Sequence, residues 1–270
     1  MKEIKIEVAE ICIMLRSESS EFISSVRRDY SLFLSDRPPS LTLDITLTDE
    51  PYVNNSSWAG LSVTGDELRL SDDHLESKIN KDLTCGSALI SRSGMLMGLG
   101  TLLRNMFTFR LILHEDAVVL HAAGILKDDE VYIFMGHSGA GKSTVSALSD
   151  DCTILSDDMV IIKRSNGKYQ AYTAPHWLDM HIGKRENRGY DIGGIFTLKQ
   201  DNTTYIKELS LSQALADILT VPHIPNKLQP VEKLFDIFSR ILVEYGLYEM
   251  HFTKDNSFWR HIDGLKQHVS

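Results

Sequence analysis

Cysteine is scarce in this chain. Cys12, Cys85 and Cys152 are the whole set, an odd number with no metal-ligand spacing. That excludes a disulfide framework and a thiolate zinc site, and it fits a reducing, cytoplasmic setting. Positive charge is also short: 28 Lys and Arg stand against 37 Asp and Glu, for a net charge of −9. A broad basic face for nucleic acid is excluded by that balance. Long uncharged apolar runs are missing too. The longest apolar region, Met95 to Leu113, is interrupted by Arg104, Asn105 and Arg110, which predicts a core helix and no membrane span. The N-terminus, MKEIKIEVAEICIML, alternates charged with apolar residues and lacks the uncharged core of a signal peptide. There is no internal repeat and no low-complexity tract. What remains is a chain of 270 residues, 43% hydrophobic and 24% charged, long enough to bury a sizeable core.

Periodicity divides the chain at about residue 93. In the first part, Ile4-Ile6-Val8, Ile11-Ile13-Leu15 and Leu41-Leu43-Ile45-Leu47 alternate as strands, and Glu21 to Phe33 has helical spacing. Leu68 to Leu70 reads as a further short strand, and Pro51 to Gly60 as a polar turn region. Residues 1–93 are therefore expected to form a small α+β module, used for docking or dimerisation or simply packed as an appendage.

Residues 94–270 read as a second domain. A largely apolar helix from Gly94 to His114 leads into a strand, Ala117 to Leu126. The charged turn Lys127 to Glu130 then predicts an antiparallel hairpin with Val131 to Met135. Asn166-Gly167 between MVIIKR and YQAYTA is a strong hairpin signal. Asp201-Asn202 between IFTLKQ and TYIKEL suggests another. Ser210 to Leu219, Val231 to Tyr245 and Asn256 to Val269 read as helices, with Asn256 as N-cap. Strands that alternate more with turns than with helices predict a mixed sheet, unlike a doubly wound parallel one.

One octet carries the chemistry. Gly136-His137-Ser138-Gly139-Ala140-Gly141-Lys142-Ser143 matches the pattern G-x-x-x-x-G-K-[ST] without a break. The glycines let successive backbone N–H groups converge on an anion, Lys142 can neutralise outer phosphates, and the Ser143 hydroxyl can ligate Mg²⁺. The apolar run VYIFM before it and the helical stretch STVSAL after it supply the expected strand and helix. Thr153-Ile154-Leu155-Ser156-Asp157-Asp158 follows closely. Carboxylates at a strand end suit a metal at bound nucleotide, although a solvated turn between two strands would read the same way. His121 lies in an apolar strand, facing either phosphate or core. His176 and His181 flank Trp177 and Asp179 without zinc spacing, and Lys184, Arg185 and Arg188 form a basic patch.

These residues bring a family into view. Leu120 to Ile162 resembles the catalytic domain of the HPr kinase/phosphorylases, bacterial serine kinases that share a core with the phosphoenolpyruvate carboxykinases. The matching pieces are His121, Gly136 to Ser143 and Asp157-Asp158. Glu186-x-Arg188-Gly189 followed by Asp191-Ile192-Gly193-Gly194-Ile195 is similar to that family's second signature. The layout is nearest to HPr-kinase-like proteins of peptide-maturation gene clusters. The resemblance implies an α/β (α+β) fold with a mixed-sheet nucleotide-binding core, and ATP bound at Gly136 to Thr144. It implies Mg²⁺ held by Ser143 and Asp158, Asp157 as base, and Lys142 and His121 in catalysis. Beside it, Glu186 is a candidate metal ligand, direct or acting through another ligand, and the basic patch reads either as a solvated loop or as a source of a contact to transferred phosphate, with Arg188 the candidate. The acceptor that the resemblance implies is a serine hydroxyl of a peptide or small protein. Pro175 to Tyr190, with its glycine, aromatic and basic residues, reads as the local lid over that acceptor. A homo-oligomer is expected by the same analogy. The residues themselves do not order the two aspartates or choose ATP over GTP. They also leave open a kinase of a small hydroxylated metabolite and a non-catalytic nucleotide-binding regulatory subunit.

Overall fold

The computed structural model describes residues 1–49, 60–64, 66–174, 187–220 and 230–267. The chain divides into two compact units, one built from Met1–Arg110 and the other beginning at Leu111. The turn region read at 51–59 lies outside the described residues.

The first unit opens with a hairpin of β1 (Lys2–Val8) and β2 (Ile11–Ser17). Its turn uses Ala9 and Glu10 at positive φ. Helix α1 (Ser20–Asp29) follows, capped by the Phe22 N–H donating to Ser19 Oγ at 3.2 Å, with Glu21 in its first turn and Arg27 and Arg28 in its last. Each of these placements complements the helix ends. α1 buries Phe22, Ile23 and Val26, and a 3₁₀ turn at Ser31–Phe33 completes the predicted helical stretch. β3 (Leu41–Thr48) runs parallel to β2. β4 (Gly60–Thr64), β5 (Glu67–Asp72), β6 (Leu75–Asn80) and β7 (Cys85–Ser91) form an antiparallel meander whose last strand returns parallel to β3. The result is a seven-stranded mixed sheet in the order β1-β2-β3-β7-β6-β5-β4. Three of these strands, β4, β6 and β7, were not anticipated from sequence. Polar residues on the buried face hide their alternation: Ser77 of β6 stands between Leu75 and Ile79, is 2% exposed, and its Oγ donates to Leu70 O at 3.5 Å.

Helix α2 (Met95–His114) follows a 3₁₀ turn at Arg92–Gly94. Gly98 brings it close to the sheet: a Cβ there would lie 2.8 Å from His74 O and Ile90 Cγ2. The helix is long and apolar enough to cross a membrane, and 78% of that stretch is buried, as expected for a core helix. Arg110 is accommodated by donating to Leu83 O at 2.9 Å.

The second unit is built on β8 (Ala117–Lys127) and β9 (Glu130–Met135), the predicted hairpin, turned by Asp128 and Asp129 at positive φ. The short helix α3 (Lys142–Ala147) follows β9. β10 (Thr153–Ser156) and β11 (Met159–Ser165) both run antiparallel along β8, one after the other, with a register shift near Ser156. β11 and β12 (Lys168–Thr173) form the hairpin predicted at Asn166-Gly167, whose φ values of 52° and 89° suit its tight turn. β13 (Tyr190–Gln200) pairs with β12 and runs parallel to β9. The pairings β8-β11-β12-β13-β9-β8 thus close on themselves.

β14 (Tyr205–Glu208), α4 (Leu211–Ile218), α5 (Val231–Tyr245), β15 (Tyr248–Phe252) and α6 (Phe258–Gln267) complete the chain. The hairpin expected at Asp201-Asn202 does not form. β15 lies between β13 and β14, parallel to the first and antiparallel to the second. The physical reason is burial: β15 places Met250 and Phe252 in the core, at 0% and 1% exposure, and a β13–β14 hairpin would exclude them. At the last helix, the Asp255 carboxylate accepts from the Ser257 N–H at 2.8 Å, supplying the side-chain oxygen expected of Asn256.

One apolar cluster fills the space between these strands and helices α3 and α6. It contains Ala123, Ile125, Tyr132, Phe134, Val145, Phe196, Leu198, Met250, Phe252, Phe258, Trp259 and Ile262. Phe134 is central. It stacks on Phe196 at 5.4 Å and meets Phe258 and Trp259 edge-on at 6.2 and 5.9 Å. Phe134→Ala should therefore lower unfolding free energy by about 3–5 kcal/mol. Urea denaturation followed by Trp fluorescence measures it, and a loss below about 1 kcal/mol would place Phe134 outside the load of the core.

Candidate functional site

A cleft of about 330 Å³ lies where three strands end their apolar rows. Side chains two apart on a strand share a face. Ala123 and Ile125 of β8, Tyr132 and Phe134 of β9, and Phe196 and Leu198 of β13 all belong to the core cluster. Continuing each row by two positions reaches His121, Gly136 and Gln200. Of these, His121 and Gln200 line the cleft, together with Ser138, Gly139, Gly141, Lys142, Ser143, Thr144, Asp157 and Asp158.

The glycine-rich loop, residues 136–141, joins β9 to α3. Gly139 and Gly141 have φ of 81° and 114°, conformations that a residue with a Cβ resists. Gly141 is constrained twice, since a Cβ there would lie 2.6 Å from Phe252 Cζ. The loop turns on itself through the Ala140 N–H, which donates to His137 O at 3.0 Å. It is held from outside by Gln200, whose Nε2 donates to Gly139 O at 3.0 Å. Lys142 folds back over the loop, and its Nζ donates to Gly136 O at 2.8 Å.

The acidic pair comes from the join between β10 and β11. Ser156 is buried, and its Oγ accepts the N–H groups of Asp158 and Met159 at 3.4 and 3.0 Å. The Ala122 N–H of β8 donates to Asp158 O at 2.9 Å. This kinked strand, pinned on both sides, turns Asp157 and Asp158 into the cleft. His121 sits opposite Met159 in register, so its Nδ1 meets Asp158 Oδ1 at 3.0 Å. The bulge beside a cleft is a recurrent way to aim side chains.

Most residues singled out from sequence therefore converge. His121, Ser138, Gly139, Gly141 to Thr144, Asp157 and Asp158 share one cleft, while Gly136, His137 and Ala140 form the loop behind it. Arg188 is not among the lining residues. It is exposed just ahead of β13, with its guanidinium 4.3 Å from the Tyr190 ring centroid. Glu186, His176, Trp177, Asp179, His181, Lys184, Arg185 and most of the lid read from Pro175 to Tyr190 lie outside the described residues. Sequence reasoning missed Gln200, Phe252 and Ser156. A serine two residues before the second aspartate is a recognisable turn signal. Gln200 and Phe252 had none, because parallel pairing of β9, β13 and β15 brings them to the loop from far along the chain.

The arrangement is a strand, a glycine-rich loop and a helix facing paired carboxylates within a mixed sheet. Among the described residues no three His, Cys, Asp or Glu side chains gather as a metal cluster. The oxygen donors present, the Ser143 hydroxyl and the Asp158 carboxylate, suit a hard cation that keeps several waters. A protein-family model described as "ScmC: SynChlorMet cassette protein ScmC" matches residues 90–223. That stretch is just under half of the chain and contains both the loop and the acidic pair. No curated protein matches the chain.

Burial holds the Lys142 ammonium below its ordinary value of 10.5, and the nearby Asp158 carboxylate partly offsets this. In the window between the lowered value and 10.5, the unfolded chain binds more protons than the folded one, so stability rises with pH. The cost of burying this charge is present at neutral pH and is relieved as pH climbs. Wild type should accordingly gain stability relative to Lys142→Met between neutral pH and 10.5. Paired thermal melts across that range measure the difference, and a gap that stays constant would contradict the burial cost.

Proposed function

We propose that the chain is an ATP-dependent kinase with an HPr kinase/phosphoenolpyruvate carboxykinase-like core, acting in the cytoplasm on a serine hydroxyl of a peptide or small protein. One observation carries this reading: a glycine-rich loop, its lysine and two carboxylates line a single cleft. Such a cleft offers the separate components that phosphoryl transfer needs, namely anion-directed backbone, cation and base. The serine acceptor rests on the resemblance set out above. The matching family's name describes a cassette protein and prints no activity.

In this reading residues 136–144 hold the triphosphate. Ser143 and Asp158 would hold Mg²⁺, which supplies charge neutralisation at the phosphates. Lys142 already has its ammonium directed into the loop, 2.8 Å from Gly136 O, and would exchange that carbonyl for a phosphate oxygen. His121 holds Asp158 in place through its Nδ1 contact. Asp157 accepts the proton as the acceptor hydroxyl oxygen bonds to the terminal phosphorus and the bond to the bridging oxygen breaks. The products are the phosphorylated acceptor and ADP, and the proton leaves from Asp157 to solvent.

Labelled ATP with panels of peptides, small proteins and hydroxylated metabolites tests the reading, with mass spectrometry locating the phosphate. Asp157→Asn should reduce transfer by about 10²–10⁴ while ATP binding persists. Asp158→Asn should raise the Mg²⁺ requirement, and Lys142→Ala should weaken binding or turnover at least about tenfold. Wild-type turnover in all three variants would refute the assignment of this cleft. ATP binding with no transfer to any acceptor would indicate a regulatory subunit, and phosphate on metabolites alone a small-molecule kinase.

A further inference from the structure

The seven-stranded sheet has two edges, and the chain treats them differently. β1 carries Lys2, Glu3, Lys5 and Glu7, and residues 34–37 run beside it. Leu34 bridges Ile6, the Ser35 N–H donates to Lys5 O at 3.2 Å, and Lys5 Nζ donates to Asp36 O at 2.8 Å. Charge and a covering segment are two ways in which natural sheets close an edge. β4 is Gly-Leu-Ser-Val-Thr, with neither charge nor proline. Among the described residues its one strand partner is β5.

The apolar face of the sheet also runs out at β4. Val63 is in register with Leu68, and Leu68 with Ile79. Leu68 and Ile79 are 6% and 0% exposed, yet Val63 is 58% exposed. Leu61, in register with the buried Leu70, is half-buried. β4 therefore ends both a backbone ladder and an apolar row in mid-course.

We propose that β4 is a dimerisation edge, and that its occupant is β4 of a second copy of this chain, added antiparallel about a twofold axis at Ser62. The strand is self-complementary in that register. Ser62 faces Ser62 of the partner subunit, Leu61 faces Val63 of the partner subunit, and Val63 faces Leu61 of the partner subunit. Both apolar residues of each strand then continue the buried row, and no like charges meet within the pair. A slip of one residue would set the apolar row of one copy against the polar face of the other, so burial selects the register. A twofold pairing closes both exposed edges in a single contact and leaves none for further growth. This surface is independent of the proposed kinase activity.

Analytical ultracentrifugation of the full chain across micromolar concentrations tests the proposal. Wild type should be a reversible dimer, and Val63→Lys should raise its dissociation constant at least about tenfold without altering the circular dichroism spectrum. Ser62→Cys, in a Cys85→Ser and Cys152→Ser background, should be linked into covalent dimers by a short bis-maleimide, and Arg69→Cys on the neighbouring strand far less. A wild-type monomer throughout the range would overturn the proposal. So would a dimer that survives Val63→Lys and resists linkage at position 62. If Val63→Lys fails to fold, the linkage at position 62 decides.

Discussion

β8 must satisfy backbone partners along both of its edges, and that requirement positions everything in the cleft. Its first half is bonded to β11, and its second half lies between β10 and β9. The β10–β11 segment cannot follow β8 in one uninterrupted register, and it shifts near Ser156. The shift is where Asp157 and Asp158 leave the ladder. On the other edge, β9 is held in place long enough to deliver Gly136 beside the same point. His121, on β8 itself, faces both. Buried backbone groups left without partners would cost more than the kink does, so the two halves of the site are brought together by hydrogen-bond accounting along a single strand.

The apolar rows supply the second constraint. Phe134 and Phe252 are packed by the aromatic residues of α6, with Phe258 within 6.2 and 6.4 Å of them, and Phe196 stacks on Phe134. That packing fixes the height at which Phe252 stops beneath Gly141. A loop residue with a Cβ would collide there. The glycine at this position is thus dictated by the packing of β15 and α6 beneath it and by its positive φ. Core packing reaches the loop at this contact, so residues remote in sequence define the loop backbone.

The two units manage solvent differently. The second unit closes its strand circuit, so five of its strands have partners on both sides over part of their length. The first unit keeps an open sheet, protected at β1 by charge and a covering segment. At β4 it presents uncharged backbone instead. Among the described residues that edge has no second strand beside it, which is the ground for the self-pairing proposed above.

Local signals in the sequence determined the elements whose cause is local. Asn166-Gly167 turned where it had to, because both residues tolerate positive φ. The alternation in β1, β2 and β3 and the glycine-rich octet between a strand and a helix were legible for the same reason. The acidic pair was legible as two carboxylates at a strand end, and the structure places both at the cleft. Tertiary structure alone decided the rest. It inserted β15 between β13 and β14 in place of a hairpin, because burying Met250 and Phe252 outweighs a short turn. It also placed Gln200 on the loop carbonyl and paired His121 with Asp158. Those contacts join residues far apart in the chain, and pattern within a short window carries no information about which distant strand will supply the missing half of a ladder.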